Sequence, residues 1–423
     1  MKRRSIVFGI LLLAAITTAA RAEAQASRGP WSQRMANAAI ERWPDGRFVP
    51  EGQRWAWNYE LGTLLEGMDA VWSGTENPRY FNYIKNSMDQ FVSDDGTIST
   101  LNPAEHQLDN ILLGRQLLFL YRVTLDQRYA KAATFLYSQL AQQPRNPAGG
   151  FWHKQRYPNQ MWLDGLYMAE PFYAEYAASF RHPEAFGDIT RQFVLMDEHA
   201  RDPKTGLLYH GWDESKKERW ANQDSGDSSQ FWARGIGWYM MALVDTLPEY
   251  PAEDIGREKL LKQLRQVASA VAQYQDGKTG LWYEVIDKGG EKGNYLESSA
   301  ACMFVYAFVR GVRLGYLPQS YFDNAKRGYA GILSHFVKTG PGGAVSLTGT
   351  VKSAGLGGNP YRDGSYAYYI GEKTVTNDPK GIGVFLLASA EMERASRAEP
   401  AHDDRGWVEP ATKSQKSSDP AGR

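Results

Sequence analysis

Hydrophobic and polar residues follow two kinds of helical pattern along the chain. In the first kind, apolar and aromatic residues run nearly all round the helix, which is typical of a helix buried on every side. These inner segments cover 61–72, 108–123, 161–177, 231–247, 296–312 and 381–395. In the second kind, apolar residues recur at i, i+3 and i+4, which predicts a surface helix buried on one side. These outer segments cover 31–43, 79–92, 128–142, 186–200, 257–275 and 320–337.

The two kinds alternate, which predicts an all-α (α/α)6 barrel, a six-hairpin toroid with an inner and an outer ring. The segment 31–43 has no inner segment before it, and 381–395 has no outer segment after it. Together they complete a sixth pair and close the ring. We also expect a few short hairpins, at GLLYHGW (206–212) and GLWYEV (280–285).

The connectors differ between the two faces of this barrel. Those that lead into the inner segments are long and contain RWAWNY, GGFWHK, YHGWDESKK and VKSAGLGGNPYRDGSYAYYI. Those on the other face, such as TENPR, TLDQR and FRHPEAF, are short and polar. Because long loops on one face of a rigid scaffold usually build the functional site, we expect the site at the mouth formed by the long connectors.

The two ends of the chain differ in composition from the barrel. Residues 1–22 combine a basic start (Lys2, Arg3, Arg4), an apolar stretch and small-x-small cleavage sites, which predicts a secretory signal peptide. We therefore expect a periplasmic or secreted protein, with a catalytic domain over 23–396 and a disordered tail over 397–423. No later segment reaches the length of a membrane span. Cys302, the single cysteine, is expected to pack in the core.

Charge and aromatic content narrow the class of ligand. Without residues 1–22 the chain has 44 basic and 48 acidic residues, a formal charge of −4, which argues against a nucleic acid partner. The 13 tryptophans and 24 tyrosines cluster with glycine at the starts of the inner segments. Aromatic faces in that position suit the apolar faces of sugar rings, although core packing also uses such residues.

Two aspartates begin inner segments, Asp109 in QLDN and Asp164 in WLDG. Inner helices of a toroid run parallel, so both carboxylates are expected at the same mouth. Helix capping is one explanation, since aspartate is favoured at that position. The other is a pair of catalytic carboxyl groups, in which burial raises the pKa of one and leaves it protonated as a general acid. The apolar and aromatic neighbours of Asp164 favour it as the protonated member.

A second group of candidate residues lies in 210–238, where Arg234 stands in a nearly apolar stretch. Such an arginine needs an anionic or carbonyl partner, either a carboxylate of the substrate or an internal aspartate. His153 and His210 have no spacing typical of metal ligands, and no nucleotide-binding loop or nucleophile elbow is present. We therefore expect no metal and no cofactor.

Several motifs in order, WNYELG, LDNI, MWLDGLYM, YHGWDES, FWARGIGWY, GLGGNPYRDGSY and NDPKGIG, resemble the unsaturated rhamnogalacturonyl hydrolases of glycoside hydrolase family 105. The resemblance extends from about residue 31 to 395 and implies the (α/α)6 barrel. It also implies removal of a 4,5-unsaturated galacturonyl residue from the non-reducing end of lyase-generated rhamnogalacturonan (pectin) oligosaccharides. In this reaction an aspartic acid protonates C4, water adds at C5, and the resulting hemiketal opens.

The resemblance also implies roles for individual residues. Asp164 is the expected catalytic acid and base, and Asp109 its partner. The expected substrate-binding residues are Tyr59, His153, Met168, His210, Trp212, Trp232, Arg234 and Trp238. The substrate class is an unsaturated uronic-acid oligosaccharide, and we expect a monomer with no nucleic acid or membrane partner.

Three alternatives remain open. Unsaturated glucuronyl hydrolases acting on glycosaminoglycan fragments share the barrel and both aspartates. A non-catalytic sugar-binding protein would keep the tryptophans but lose a carboxylate. An inverting endoglucanase on the same barrel would need a glutamate acid that the sequence does not indicate.

Overall fold

A computed structural model describes residues 29–49 and 54–397. Helices form most of it: α1 Trp31–Arg42, α2 Tyr59–Thr75, α3 Pro78–Asp89, α4 Gly114–Thr124, α5 Gln127–Gln142, α6 Leu163–Phe180, α7 Ala185–Ala200, α8 Ala233–Thr246, α9 Ile255–Gln273, α10 Ser298–Arg313, α11 Ser320–His335, the short α12 Tyr366–Gly371, and α13 Pro379–Ser396. Short 3-10 turns lie at Pro103–Glu105, Leu108–Asn110, Leu247–Glu249 and Pro341–Gly343. All the predicted inner and outer segments are helical.

The inner helices form a closed ring. Contacts run from α2 to α4, α6, α8, α10 and α13, and from α13 back to α2. Each inner helix also contacts its own outer helix, α3, α5, α7, α9, α11 or α1. The last pair closes as predicted, because Ser32 in α1 donates from its backbone nitrogen to Glu393 in α13 (3.0 Å). The (α/α)6 barrel is therefore confirmed.

Helix α4 begins later than the periodicity predicts, and one tryptophan explains the delay. The indole Nε1 of Trp57 donates to the carbonyl oxygen of Asn110 (2.8 Å), which a continuous helix would pair with Gly114 N. Gly114 N bonds Ile111 O instead (2.8 Å). The segment from Leu108 is therefore a 3-10 turn followed by a helix.

Several helices begin at a polar side chain that accepts a backbone hydrogen bond, the usual device for satisfying free N–H groups. Asn58 accepts from Leu61 N at the start of α2, and Asp378 accepts from Lys380 N at the start of α13. The outer helices α5 and α9 begin in the same way at Asp126 and Asp254. Neither Asp109 nor Asp164 has this role.

The strands are short and antiparallel: β1 Gln160–Trp162 with β2 Gly211–Asp213, β3 Val337–Thr339 with β4 Val345–Leu347, and β5 Thr350–Val351 with β6 Thr374–Val375. Short hairpins were expected at 206–212 and 280–285, and each segment forms a local antiparallel bridge, Arg201 with Leu208 and Tyr283 with Leu296. Both segments also pair with distant connectors. Met161 pairs with Trp212, and Trp232 forms a bridge with Val285. These pairings tie the long connectors to one another around the mouth.

Every helix in 29–49 and 54–397 is too short or too polar to cross a lipid bilayer. Cys302 is fully buried in the core, as expected. The expected signal peptide, 1–22, and residues 398–423 of the expected tail lie outside the described residues.

Candidate active site

Asp164 lies in the first turn of α6, at the mouth where the long connectors meet. The N-cap position belongs to Trp162, and no side chain caps this helix. The Asp164 carboxylate instead bonds His210, with 3.0 Å between Oδ2 and the imidazole Nε2. Its side chain keeps 15% of its surface exposed, so a ligand in the mouth can reach it. Capping is therefore not the reason for an aspartate at this position.

His210 is completely buried and held on both nitrogens. Its Nδ1 lies 2.7 Å from the hydroxyl of Tyr369 in α12. The imidazole also packs against the Trp232 ring, with 4.5 Å between centroids. Burial raises the pKa of Tyr369 well above its ordinary value, so the phenol keeps its proton. We assign Tyr369 as donor to Nδ1, which leaves the His210 proton on Nε2, directed at Asp164.

The ionisation of Asp164 differs from the sequence expectation. Burial raises its pKa, but the electrostatic interaction and hydrogen bond with His210 and the electrostatic interaction with His153 outweigh burial. The pKa therefore lies below its ordinary value of 3.8. The prediction of a raised pKa is wrong for this structure, because His210 comes from a connector 46 residues away in sequence.

Asp109 lies in the 3-10 turn Leu108–Asn110 and is nearly buried. Its carboxylate forms a short ion pair with the Lys154 ammonium. The Nε2 of His153 lies 3.5 Å from the other carboxylate oxygen. The two aspartates thus differ in their partners, since Asp109 bonds a lysine and Asp164 bonds a histidine.

His153 connects the surroundings of the two aspartates. Burial lowers its pKa to about 4, so the imidazole is neutral at neutral pH. Its ring stacks on Trp162 (4.5 Å between centroids), and His210 lies against the same indole (5.5 Å). A Cβ on Gly165 would come within 3.1 Å of His153 Nδ1, so the residue after Asp164 leaves little room beside the imidazole.

Arg234, in the first turn of α8, is buried beside Trp232. It donates to the Val351 carbonyl and, at 3.4 Å, to Ser299 Oγ, and it forms no ion pair within the described ranges. Burial lowers its pKa, but the negative charges of acidic groups, with Glu297 the largest contributor, outweigh burial and raise it. Glu284 and Asp378 also contribute, so the internal counter-charges include an aspartate, although none of these groups forms an ion pair with Arg234 within the described ranges.

Tyr59 and Trp232 also line this side of the mouth. Burial is the main cause that raises the pKa of Tyr59 well above its ordinary value, and the charge of Glu60 adds to it. The charge of Arg234 lowers this pKa and the charge of Asp109 raises it further. The Tyr59 phenol therefore lies within electrostatic range of Arg234 and of Asp109. Trp232 donates from Nε1 to Glu284 Oε1 (2.8 Å), which fixes the indole that packs against His210.

The remaining predicted binding residues are buried in other contacts. Trp212 stacks flat on His199 of the outer helix α7, with 3.8 Å between centroids. Trp238 stacks on Tyr167 (4.9 Å), one turn of α6 further from the mouth than Asp164. Met168 is 1% exposed within the main core. The contacts of these three side chains are those of packing residues, and their expected role in binding stays a prediction.

Three residues in contact with the candidate centre were not singled out from the sequence: Lys154, Trp162 and Tyr369. Lys154 directly follows His153, and Trp162 comes two residues before Asp164, so their proximity could have been inferred. Tyr369 is 159 residues from His210, and no local pattern indicates their contact.

Within the part of the chain that the structure describes, no group of three or more His, Cys, Asp or Glu side chains is arranged to hold a metal ion.

Comparison with known proteins identifies the family. The sequence model of Glycosyl Hydrolase Family 88 matches residues 31–396. A solved structure of a family 105 glycoside hydrolase from C. acetobutylicum is 42% identical, with a TM-score of 0.83, and covers 86% of this chain and 100% of its own. The unsaturated rhamnogalacturonyl hydrolase YesR of Bacillus subtilis is 28% identical over 306 residues, 71% of this chain and 82% of YesR.

A structure of the unsaturated glucuronyl hydrolase from Bacillus sp. GL1 shares the fold, at 14% identity and a TM-score of 0.64, over 85% of this chain and 94% of its own. The inner and outer rings, the mouth with its two aspartates and the match over nearly the whole described chain agree with one another. The chain therefore belongs to glycosyl hydrolase family 88 and is a glycoside hydrolase.

Proposed function

We propose that this enzyme removes the 4,5-unsaturated galacturonyl residue from the non-reducing end of rhamnogalacturonan oligosaccharides produced by a lyase. The resemblance of its motifs to rhamnogalacturonyl hydrolases supports this, as does the similarity to YesR, whose name states that activity. The structural likeness to a glucuronyl hydrolase is at 14% identity and concerns the fold alone. The observation that carries the proposal is the Asp164–His210 pair at the barrel mouth.

The reaction needs one acid that later acts as a base. Asp164 transfers its proton to C4, the C4–C5 π electrons form the new C–H bond, and positive charge develops at C5 and the ring oxygen. Water then attacks C5 and returns a proton to the Asp164 carboxylate. The resulting hemiketal opens to a ketone at C5, and the hemiacetal left at C1 expels the neighbouring sugar. One water is consumed, and the enzyme returns to its starting state.

Asp164 must gain a proton before this step, although its pKa is lowered in the structure. The substrate supplies two effects that raise the pKa of a nearby carboxyl group: its own negative charge, and displacement of water from the mouth. The proton comes from solvent as the substrate enters, and His210, whose Nε2 lies 3.0 Å from Asp164 Oδ2, donates a hydrogen bond that orients the carboxyl group. The Asp164–His210 pair thus positions the acid beside the substrate.

The remaining groups would position the sugar. Arg234 and Tyr59 lie within electrostatic range of each other on one side of the mouth and suit the uronate carboxylate and ring hydroxyl groups. Asp109, bonded to Lys154, would accept a hydrogen bond from a sugar hydroxyl. Trp232 would support His210 from behind.

The test follows the ultraviolet absorbance of the conjugated double bond in unsaturated rhamnogalacturonan and chondroitin disaccharides. We expect loss of absorbance on the pectic disaccharide with wild type and none with Asp164→Asn. Asp323→Asn is the matched control, because that side chain is exposed in the first turn of the outer helix α11.

Melting temperatures would show that both variants fold. Consumption of the chondroitin substrate alone would move the enzyme to the glucuronyl hydrolases. No loss on either disaccharide would favour the sugar-binding alternative, and full activity of Asp164→Asn would remove Asp164 from the mechanism.

We also propose that the protein is exported and works as a monomer, on the basis of the basic and apolar start of the sequence and the closed barrel. Mass spectrometry of the N-terminus of protein recovered from a periplasmic fraction would test the first part. An intact residue 1 would contradict it. Light scattering during gel filtration would test the second part.

A further inference from the structure

A second, smaller hydrophobic cluster lies beside the candidate active site. It contains Tyr157, Trp162, Trp220, Ala221 and Leu356, with Tyr361 packed against it. Trp162 belongs to both places, since its ring stacks on His153 (4.5 Å) and on Tyr157 (4.8 Å). The cluster therefore continues outward from the catalytic centre through one indole.

Arg362 is fixed at the edge of this cluster. Its Nε donates to the carbonyl oxygen of Gly357 (2.9 Å), and its Nη2 donates to Tyr157 Oη (2.8 Å) and Leu356 O (3.0 Å). Its Cζ lies 5.6 Å from the centroid of the Trp162 ring. These partners fix the orientation of the guanidinium. Only the Trp162 ring lies between it and His153.

Arg362 has no ion-pair partner within the described residues. All its hydrogen-bond partners are neutral oxygens, and its Nη1 has no hydrogen bond there. Its electrostatic effect reaches Tyr369, the partner of His210. A half-buried, oriented guanidinium with one unused nitrogen is suited to bind a carboxylate.

Two more arginines surround the same cluster. Arg156 lies over the Tyr157 ring (5.0 Å from Cζ to centroid) and Arg219 over the Tyr361 ring (3.8 Å). Both are exposed, and neither has an ion pair within 29–49 and 54–397. The acidic residue at this place, Glu218, accepts hydrogen bonds from Gln160 Nε2 (3.1 Å) at one carboxylate oxygen and from Tyr361 Oη (3.5 Å) at the other. We call Arg156, Arg219 and Arg362 the arginine rim.

A buried donor without a partner lies in the same place. Trp220 is 5% exposed, and its Nε1 has no acceptor among the described residues. A Cβ on Gly357 would stand 3.6 Å from this nitrogen, and one on Gly358 would stand 3.3 Å from Arg362 Nη2. The two glycines therefore keep space open beside both donors.

We propose that the arginine rim is a subsite for a carboxylate on the leaving portion of the substrate, beyond the sugar attached at the cleaved bond. This rests on the proposed function, in which the leaving portion is rhamnogalacturonan with alternating neutral rhamnose and acidic galacturonate. The first leaving sugar is then neutral, and the next is a uronate. The enzyme prefers acidic oligosaccharides longer than the disaccharide.

The experiment compares unsaturated rhamnogalacturonan disaccharide and tetrasaccharide. Wild type is expected to have the lower KM on the tetrasaccharide, and the advantage is expected to shrink as salt is raised. Arg362→Gln is expected to raise the tetrasaccharide KM roughly tenfold more than the disaccharide KM, the size expected for losing a charge-assisted hydrogen bond. Arg79→Gln, an exposed arginine at the start of the outer helix α3, is the matched control.

Arg362 also holds its own loop, so its loss could disturb folding. The double variant Arg156→Gln/Arg219→Gln changes only exposed side chains and is expected to move the KM ratio in the same direction. Equal KM values for the two oligosaccharides in wild type, or a ratio unchanged in both variants, would overturn the subsite.

Titration calorimetry with the same two oligosaccharides separates this proposal from the proposed function. If neither oligosaccharide is hydrolysed but the tetrasaccharide binds more tightly through the arginine rim, the reaction assignment fails and the subsite stands. If the disaccharide is hydrolysed and binding shows no preference for the tetrasaccharide, the subsite fails alone.

Discussion

The hydroxyl of Tyr369 offers a sharp test of the hydrogen-bond chain from Tyr369 through His210 to Asp164. Tyr369→Phe removes one oxygen from a fully buried ring and leaves the rest of α12 unchanged. In the assigned arrangement, this deletes the donor to His210 Nδ1 and leaves a buried acceptor without a partner. The imidazole is then free to carry its proton on Nδ1, where it no longer serves Asp164.

The size of the effect follows from that geometry. A buried polar group left without its partner costs about 1–3 kcal/mol. Because His210 acts through Asp164 during proton transfer, we expect most of that cost in the transition state. Each 1.36 kcal/mol corresponds to tenfold in rate, so kcat/KM should fall about 5- to 150-fold.

The assay is the loss of absorbance of the unsaturated disaccharide, with kcat and KM measured separately across pH. Tyr366→Phe is the matched control, because this exposed hydroxyl lies in the same short helix and donates to a surface connector, at Lys292 O (3.2 Å). A fall in kcat for Tyr369→Phe alone supports the role of this hydrogen-bond chain. If the two variants were equally active and equally stable, the proposed role of Tyr369 and the assigned His210 tautomer would both be wrong.

Three further predictions concern charge and space inside the barrel. Burial raises the pKa of Glu66 to about 7 against the opposing charge of Arg115, so the stability that its neutral form provides is lost as pH rises from about 4.5 through 7. At pH 8, Glu66→Gln should therefore raise the melting temperature by a few degrees more than it does at pH 4.5. An equal change at the two pH values would contradict this. Burial lowers the pKa of His153 to about 4, so the stability that its neutral imidazole provides is present above pH 6.5 and is lost as pH falls toward 4. His153→Gln should flatten the decline in melting temperature over that interval. Gly165→Ala places a Cβ 3.1 Å from His153 Nδ1 and should lower kcat/KM severalfold while melting close to wild type; unchanged kinetics would show that the imidazole position is not critical.

The helices could be predicted because each one repeats its burial pattern over several turns. The amphipathic outer helices and the all-apolar inner helices share one period but differ in the number of polar positions per turn, and this difference can be read from the local sequence. The start of α4 could not be predicted, because the deciding hydrogen bond comes from Trp57, 53 residues away. The pairing of β1 with β2 could not be predicted for a similar reason, since it joins connectors nearly 50 residues apart in the chain.

The residues of the candidate site could be predicted from the sequence, but the contacts between them could not. Asp164, Asp109, His153 and His210 were identified from motifs, and the structure brings each aspartate next to one of the two histidines. The direction of the Asp164 pKa could not be predicted from its apolar neighbours, because pairing with His210 outweighs burial. A burial argument from local sequence omits partners that arrive from another connector.

The difference between the two aspartates indicates which of them can act as the acid. Asp109 forms an ion pair with the Lys154 ammonium. Asp164 bonds the uncharged His210 imidazole through Oδ2, and its side chain keeps 15% of its surface exposed at the mouth. Asp164 can therefore reach the substrate without first breaking an ion pair. Two aspartates in the same position of neighbouring inner helices are thus separated in role by their partners, one suited to holding the sugar and the other to protonating it.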